Sequence, residues 1–171
     1  MRVVIAALAV LATPALGQAP RARVSLPAYR APVVLDTLAI REEFSAAPGA
    51  VHSALVVAVT EMGLEPTVRD SLRGIVSNPE LVTFRRLAGK AMSFWLDCGI
   101  GMTGRYADTH RVTLAWAALL DPLPDGRTRV GIGVSGSAIE RGGTTNTAVQ
   151  CNTTGALEAA ITERVRKTLG G

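Results

Sequence analysis

The sequence predicts an α+β fold: an antiparallel, curved sheet packed by an amphipathic helix near the start and a second at the C-terminus. Three observations carry this. Apolar residues recur at helical spacing in two places, Val51, Leu55, Val59 and Met62, then Leu157, Ile161, Val165 and Leu169. The stretch between them reads as short runs separated by turn chemistry. The sharpest run, Val112, Leu114, Trp116, Ala118 and Leu120, sets five apolar side chains on one face of an extended segment. A helix with one apolar stripe and a sheet with one apolar face each need covering, and covering each other satisfies both.

Taken in order, residues 1–17 read as a secretory signal peptide. Arg2 supplies the positive start, Val3 to Ala12 the apolar run, Pro14 the break, and Ala15 and Gly17 the small residues of a cleavage site. Gln18 then becomes the first mature residue. The apolar run falls short of the ~20 residues a membrane helix needs, so no stable transmembrane segment is expected after cleavage. Residues 18–32 interleave Arg21, Arg23 and Arg30 with Pro20, Pro27 and Pro32, which predicts an extended linker. Residues 33–171 are an ordinary length for one domain with its own core.

Val33 to Phe44 is apolar and β-branched before turning charged at Arg41, Glu42 and Glu43, which suits a first strand running outward. Pro48 fits the first turn of the following helix, and Gly63 offers a left-handed stop. Thr67 to Asp70 and Arg73 to Ser77 read as two short strands around a bend, closed by Asn78 and Pro79, with Leu81 to Leu87 the next candidate. Met92, Phe94 and Leu96 alternate with Ser93, Trp95 and Asp97, predicting a strand that ends at Cys98. Arg111 to Leu120 is the central strand. The segment Asp121 to Gly126, DPLPDG, turns the chain into an antiparallel neighbour. On that neighbour Val130, Ile132 and Val134 share one face, while Gly131 and Gly133 leave room on the other for Trp95, Trp116 or a second backbone. Thr154 is placed to cap the final helix, with Glu158 in its first turn and Arg166 and Lys167 near its end.

A helix entering a strand across AVHSALVVAVTEMGLEPTVRD (Ala50 to Asp70), the segment RGIVS (Arg73 to Ser77) and the terminal GALEAAITERV (Gly155 to Val165) together resemble the BamC-like helix-grip domains of bacterial envelope proteins. The resemblance rests on core and turn positions, so it implies a fold rather than an activity. Members of that family are held to the membrane by a lipidated amino-terminal cysteine and assist outer-membrane barrel assembly. Here the expected mature start is Gln18, and a cysteine-bearing region interrupts the strands.

The net charge is +4, and the seven aromatic residues form no stacking platform, so nucleic acid is not an expected partner. The side chains that carry chemistry concentrate in WLDCGIGMTGRYADTH, Trp95 to His110. Cys98 and Cys151 are the chain's two cysteines, and in an exported protein they predict a structural disulfide. Closing a loop of that size stabilises the fold by about 4 kcal/mol on the chain-entropy account. The competing reading makes Cys98 a nucleophile with His110 as its base and Asp108 or Asp97 as the orienting carboxylate, since thiolate chemistry needs a nearby proton acceptor. Trp95, Asp97, Tyr106, Asp108 and His110 are also candidate ligand-binding residues. No HExxH, CxxC or calcium-loop spacing occurs, so neither a metal nor a cofactor is expected. The reading is a non-enzymatic secreted or periplasmic binding or assembly module, its partner an envelope protein or cell-surface component. The alternatives are a small apolar ligand or lipid held between sheet and helix, and a thiol-dependent enzyme acting through Cys98.

Overall fold

The computed structural model describes residues 22–37, 39–140 and 147–170. The expected signal peptide and the Gln18 start lie outside them. In chain order the elements are β1 (Arg23–Val24), β2 (Val33–Val34), a 3-10 turn (Leu35–Thr37), β3 (Ile40–Phe44), α1 (Pro48–Glu61), β4 (Val68–Asp70), β5 (Ile75–Phe84), β6 (Arg86–Leu87), β7 (Lys90–Ala91), α2 (Met92–Trp95), β8 (Leu96–Asp97), β9 (Ile100–Gly101), β10 (Gly104–Arg105), α3 (Tyr106–Thr109), β11 (Arg111–Pro122), β12 (Thr128–Ile139), β13 (Ala148–Thr153) and α4 (Ala156–Thr168). This is the α+β class predicted. The open sheet runs β4-β5-β11-β12-β13-β8, with β3 also on β12, and its pairs are antiparallel.

Val112, Leu114, Trp116, Ala118 and Leu120 all point to the helix side and are buried with Val130, Ile132 and Val134. α1 contributes Val51, Leu55, Ala58 and Val59 to the same core, and α4 contributes Leu157, Ile161 and Val165. Gly63 takes φ +72°, and the Leu64 N–H reaches back to the Val59 carbonyl at 2.9 Å while Gly63 N–H meets Thr60, closing α1 as a Schellman turn. The Trp116 indole N–H then donates to the Leu64 carbonyl at 3.0 Å, fastening that turn to the sheet.

The other face corrects the linker expectation. From Ala22 on, the chain folds back as the β1–β2 hairpin and lays Val24, Leu26 and Leu35 against Ala115 and Ala117. Tyr29 donates its hydroxyl to the Cys151 carbonyl and accepts from Ser135, each at 3.2 Å. The prolines and arginines suggest an open chain, but Val24 and Leu26 among them, with Leu35 just beyond, supply the burial that holds it. The expected strand from Val33 to Phe44 is accordingly split by the 3-10 turn. That turn also fills the space opposite Gly133, where a Cβ would lie 2.1 Å from the Leu35 carbonyl oxygen; neither tryptophan does so.

Two further boundaries differ. Asn78 and Pro79 do not end a strand: β5 continues through them, with Pro79 and Glu80 opposing Ala115 in a bulge between the Trp116–Asn78 and Leu114–Leu81 pairs. Asn78 holds the bulge by donating to the Glu65 carbonyl at 2.7 Å and accepting from the Glu80 N–H at 2.9 Å. Met92 to Trp95 is a single helical turn rather than a strand, because Met92, Trp95 and Leu96 are the buried positions and Phe94 is half exposed. Spacing of three and four, not two, governs that segment.

Candidate functional site

Phe84 and Arg111 sit opposite each other on β5 and β11, so everything from Arg85 to His110 is one excursion leaving a single end of the sheet. It begins with the β6–β7 hairpin, whose two turn residues, Ala88 and Gly89, both have positive φ as a tight hairpin requires. α2 follows. Its exposed amino end is satisfied from α3, where Asp108 Oδ1 accepts the Ser93 N–H at 2.8 Å. The Trp95 indole donates to the Leu87 carbonyl at 3.0 Å, tying α2 to the first hairpin.

The excursion is then fastened to the sheet. β8 pairs with β13 through Asp97–Asn152 and Leu96–Thr153, and Cys98 is disulfide-bonded to Cys151. Thr154 Oγ1 donates to the Phe94 carbonyl at 2.8 Å and its N–H to the Trp95 carbonyl at 3.1 Å. Thr154 also meets the helix as expected, its Oγ1 accepting the Ala156 N–H at 3.4 Å, although the N-cap position of α4 is Gly155, at φ +81°, without a side-chain cap bond of its own. Thr153 reaches into the helix, its Oγ1 donating to Glu158 Oε2 at 2.9 Å. Glu158 is fully buried, its Oε1 has no hydrogen-bond partner among the described residues, and burial pushes its carboxyl above the ordinary value.

Beyond Cys98 the β9–β10 hairpin projects outward. The Tyr106 N–H donates to the Gly99 carbonyl at 3.0 Å, and the Tyr106 ring packs so closely under Gly101 that a Cβ there would lie 2.5 Å from the ring. Tyr106 and His110 rings lie with centroids 4.7 Å apart, and His110 Nδ1 is 3.0 Å from Thr109 Oγ1. Met102, Thr103, Tyr106, His110, Glu140, Thr147 and Val149 line an open cleft of about 310 Å³ behind the hairpin.

The candidate residues therefore share one region but not one role. Cys98 is buried in the disulfide, and this form holds no thiol to ionise. Asp108 is engaged at Ser93 and Asp97 Oδ1 accepts the Gly99 N–H at 3.0 Å, so each carboxylate stabilises a local turn. Trp95 is core. Tyr106 and His110 alone of the set line the cleft. Among the described residues, no three His, Cys, Asp or Glu side chains gather closely enough to hold a metal ion. The feature that residue chemistry missed is the outer surface of the excursion, where Phe94 is exposed beside Lys90, Ile100 is exposed opposite Arg105, and Met102 is exposed at the turn of the β9–β10 hairpin. Its one sequence signal is an apolar residue on either side of Gly101 within a glycine-rich turn. Comparison with known proteins returns no match for this chain, whether among family models, curated proteins or solved structures.

Proposed function

We propose that this protein is a non-enzymatic, exported binding module of the cell envelope whose recognition surface is the excursion between β5 and β11. The observation that carries the reading is how much of the chain's bonding is spent on presenting that segment. The disulfide, the β8–β13 pairing and the Thr154 bonds hold it to the sheet, and the Asp108–Ser93 bond holds its two helical turns to each other. Its outermost side chains meanwhile contact water. A surface held in shape before binding loses little entropy when a partner arrives.

Export is supported by the leader-like residues 1–17 and by the disulfide, which persists in oxidising compartments. The likeness of residues 50–70 to BamC-like domains favours an envelope setting. An outer surface is favoured over an internal ligand cavity because Trp116, Leu55, Leu64 and Ile161 occupy the space between sheet and helices.

Photocrosslinking in the exporting cell tests the reading. A photoreactive amino acid at position 102 should give adducts with envelope material that the same probe at position 72, equally exposed at the opposite end of the sheet, does not give. Equal labelling from both positions, or none from position 102, would overturn it.

A further inference from the structure

We infer that the excursion docks on an anionic lipid surface, with Ile100 and Met102 entering the headgroup region and Arg85, Lys90, Arg105 and Arg111 facing the lipid phosphates. This rests on the binding-module reading and names the partner's chemistry.

Charge is the first observation. Residues 85 to 111 carry five basic side chains, Arg85, Arg86, Lys90, Arg105 and Arg111, against two acidic ones, Asp97 and Asp108. All five basic residues are exposed, and both carboxylates already accept backbone N–H groups. Ion pairing among the described residues lies elsewhere: on α4, at the end of α1, and around the opposite end of the sheet where Glu43, Asp121, Asp125, Arg127 and Arg129 meet. Asp70 and Arg73 pair at that same opposite end. Within the excursion three of the five cations rest on neutral groups instead. Arg85 lies 4.9 Å from the Phe84 ring centroid, Lys90 lies 5.7 Å from that of Phe94, and Arg86 bonds the Gly89 carbonyl. Glu140, an acid outside the segment, lines the cleft behind the hairpin with His110. One end of the sheet is thus neutralised internally, and the other presents positive charge without carboxylate partners.

The second observation is what that charge surrounds. Ile100 is 73 % exposed, Met102 is fully exposed and Phe94 is 49 % exposed. Single exposed apolar side chains are common on any protein. Apolar side chains on a projecting turn, with cations on the same excursion that form no ion pair among the described residues, are the composition of an interfacial membrane contact, in which shallow insertion and attraction to anionic headgroups add. The third observation is rigidity. With Tyr106 beneath Gly101 and Cys98 bonded to β13, the hairpin is held outward before any lipid is present. A protein partner is less favoured because stable protein interfaces bury roughly 800 Å² on each side. A membrane contact is built from a few inserted side chains and diffuse electrostatics.

Vesicle flotation of the full exported protein tests this. Vesicles containing phosphatidylglycerol should bind the protein, and vesicles of phosphatidylcholine alone should not. Binding should weaken roughly fivefold for each cation removed, read in Lys90→Gln and Arg105→Gln. The pair Ile100→Ser with Met102→Ser should lose roughly tenfold or more, since both apolar contacts go. Leu72→Ser, which removes an equally exposed apolar residue from the ion-paired end, should bind as the parent does. Equal binding to neutral vesicles, or full binding by the tip variant, would overturn the inference. If no vesicle binds while position 102 still crosslinks to an envelope protein, the lipid surface is wrong and the binding-module reading stands. If both fail, both readings fall.

Discussion

Replacing both cysteines, as Cys98→Ala with Cys151→Ala, separates the disulfide's effect on the unfolded chain from its effect on the native excursion. The bridge closes residues 53 apart in sequence, and the entropy denied to the unfolded chain by a loop of that size is worth about 4 kcal/mol. The native state should survive its removal. Leu96 and Asp97 still pair with Thr153 and Asn152, Thr154 still bonds the Phe94 and Trp95 carbonyls, and Asp108 still satisfies Ser93. Urea denaturation of parent and variant, followed by tryptophan fluorescence, is the assay. Trp95 lies in the excursion and Trp116 in the sheet core, so one probe reports on both. With a slope of ~2 kcal/mol per molar urea, the midpoint should fall by about 2 M. The melting temperature should fall by roughly 8–16 °C. A loss below about 1 kcal/mol with an unchanged slope would refute the reasoning, because the unfolded chain would then not be what the bridge constrains. A reduced slope with a separate early transition would refute the other half, showing that the excursion detaches without its bridge.

Two other perturbations test how the faces of the sheet are held. Gly133→Ala should push the 3-10 turn off the sheet, because its Cβ would lie 2.1 Å from the Leu35 carbonyl oxygen; exposing Leu35 and Val24 costs about 3 kcal/mol or more, read as a lower melting temperature and new proteolytic cleavage within residues 22–35. Gly131→Ala meets side chains alone, the Ala39 methyl at 3.3 Å and Arg41 Cγ at 3.7 Å, and should lose far less, so equal losses at the two glycines would count against this account. Glu158→Gln tests the buried carboxyl. Because burial raises its pKa, the folded chain holds the proton more tightly than the unfolded chain, and stability falls as pH rises from the unfolded pKa of ~4.3 through the raised folded one. The Gln variant does not titrate, so melting curves should shift in its favour as pH rises across that window; a parent–variant difference that is constant with pH would contradict this.

What the sequence determined by itself follows from strict periodicity and local turn chemistry. The five alternating residues from Val112 to Leu120 identify the central strand because each turns to the same buried face. The stripes of α1 and α4, the Gly63 stop and the turn at DPLPDG are local patterns of the same kind, closed within a few residues. With only two cysteines in the chain, a disulfide could join only Cys98 to Cys151, while the choice between that bridge and a free Cys98 thiol waited on the fold.

Tertiary structure decided the rest, wherever a residue's environment comes from a distant segment. Val24, Leu26 and Leu35 look like scattered apolar residues in a proline-rich stretch until Ala115, Ala117 and Gly133 offer them a surface. Met92 to Asp97 alternates well enough for a strand, but Asp108, Leu87 and Thr154 supply the bonds that favour a helical turn instead. The reactive side chains cluster in sequence for the same reason that they form no catalytic set: they are neighbours along a folded excursion, and most are used in holding it together. The surface they support, with its apolar tip and its cations lacking carboxylate partners, emerges only once the ion pairs are seen to lie elsewhere, at the far end of the sheet and on the helices.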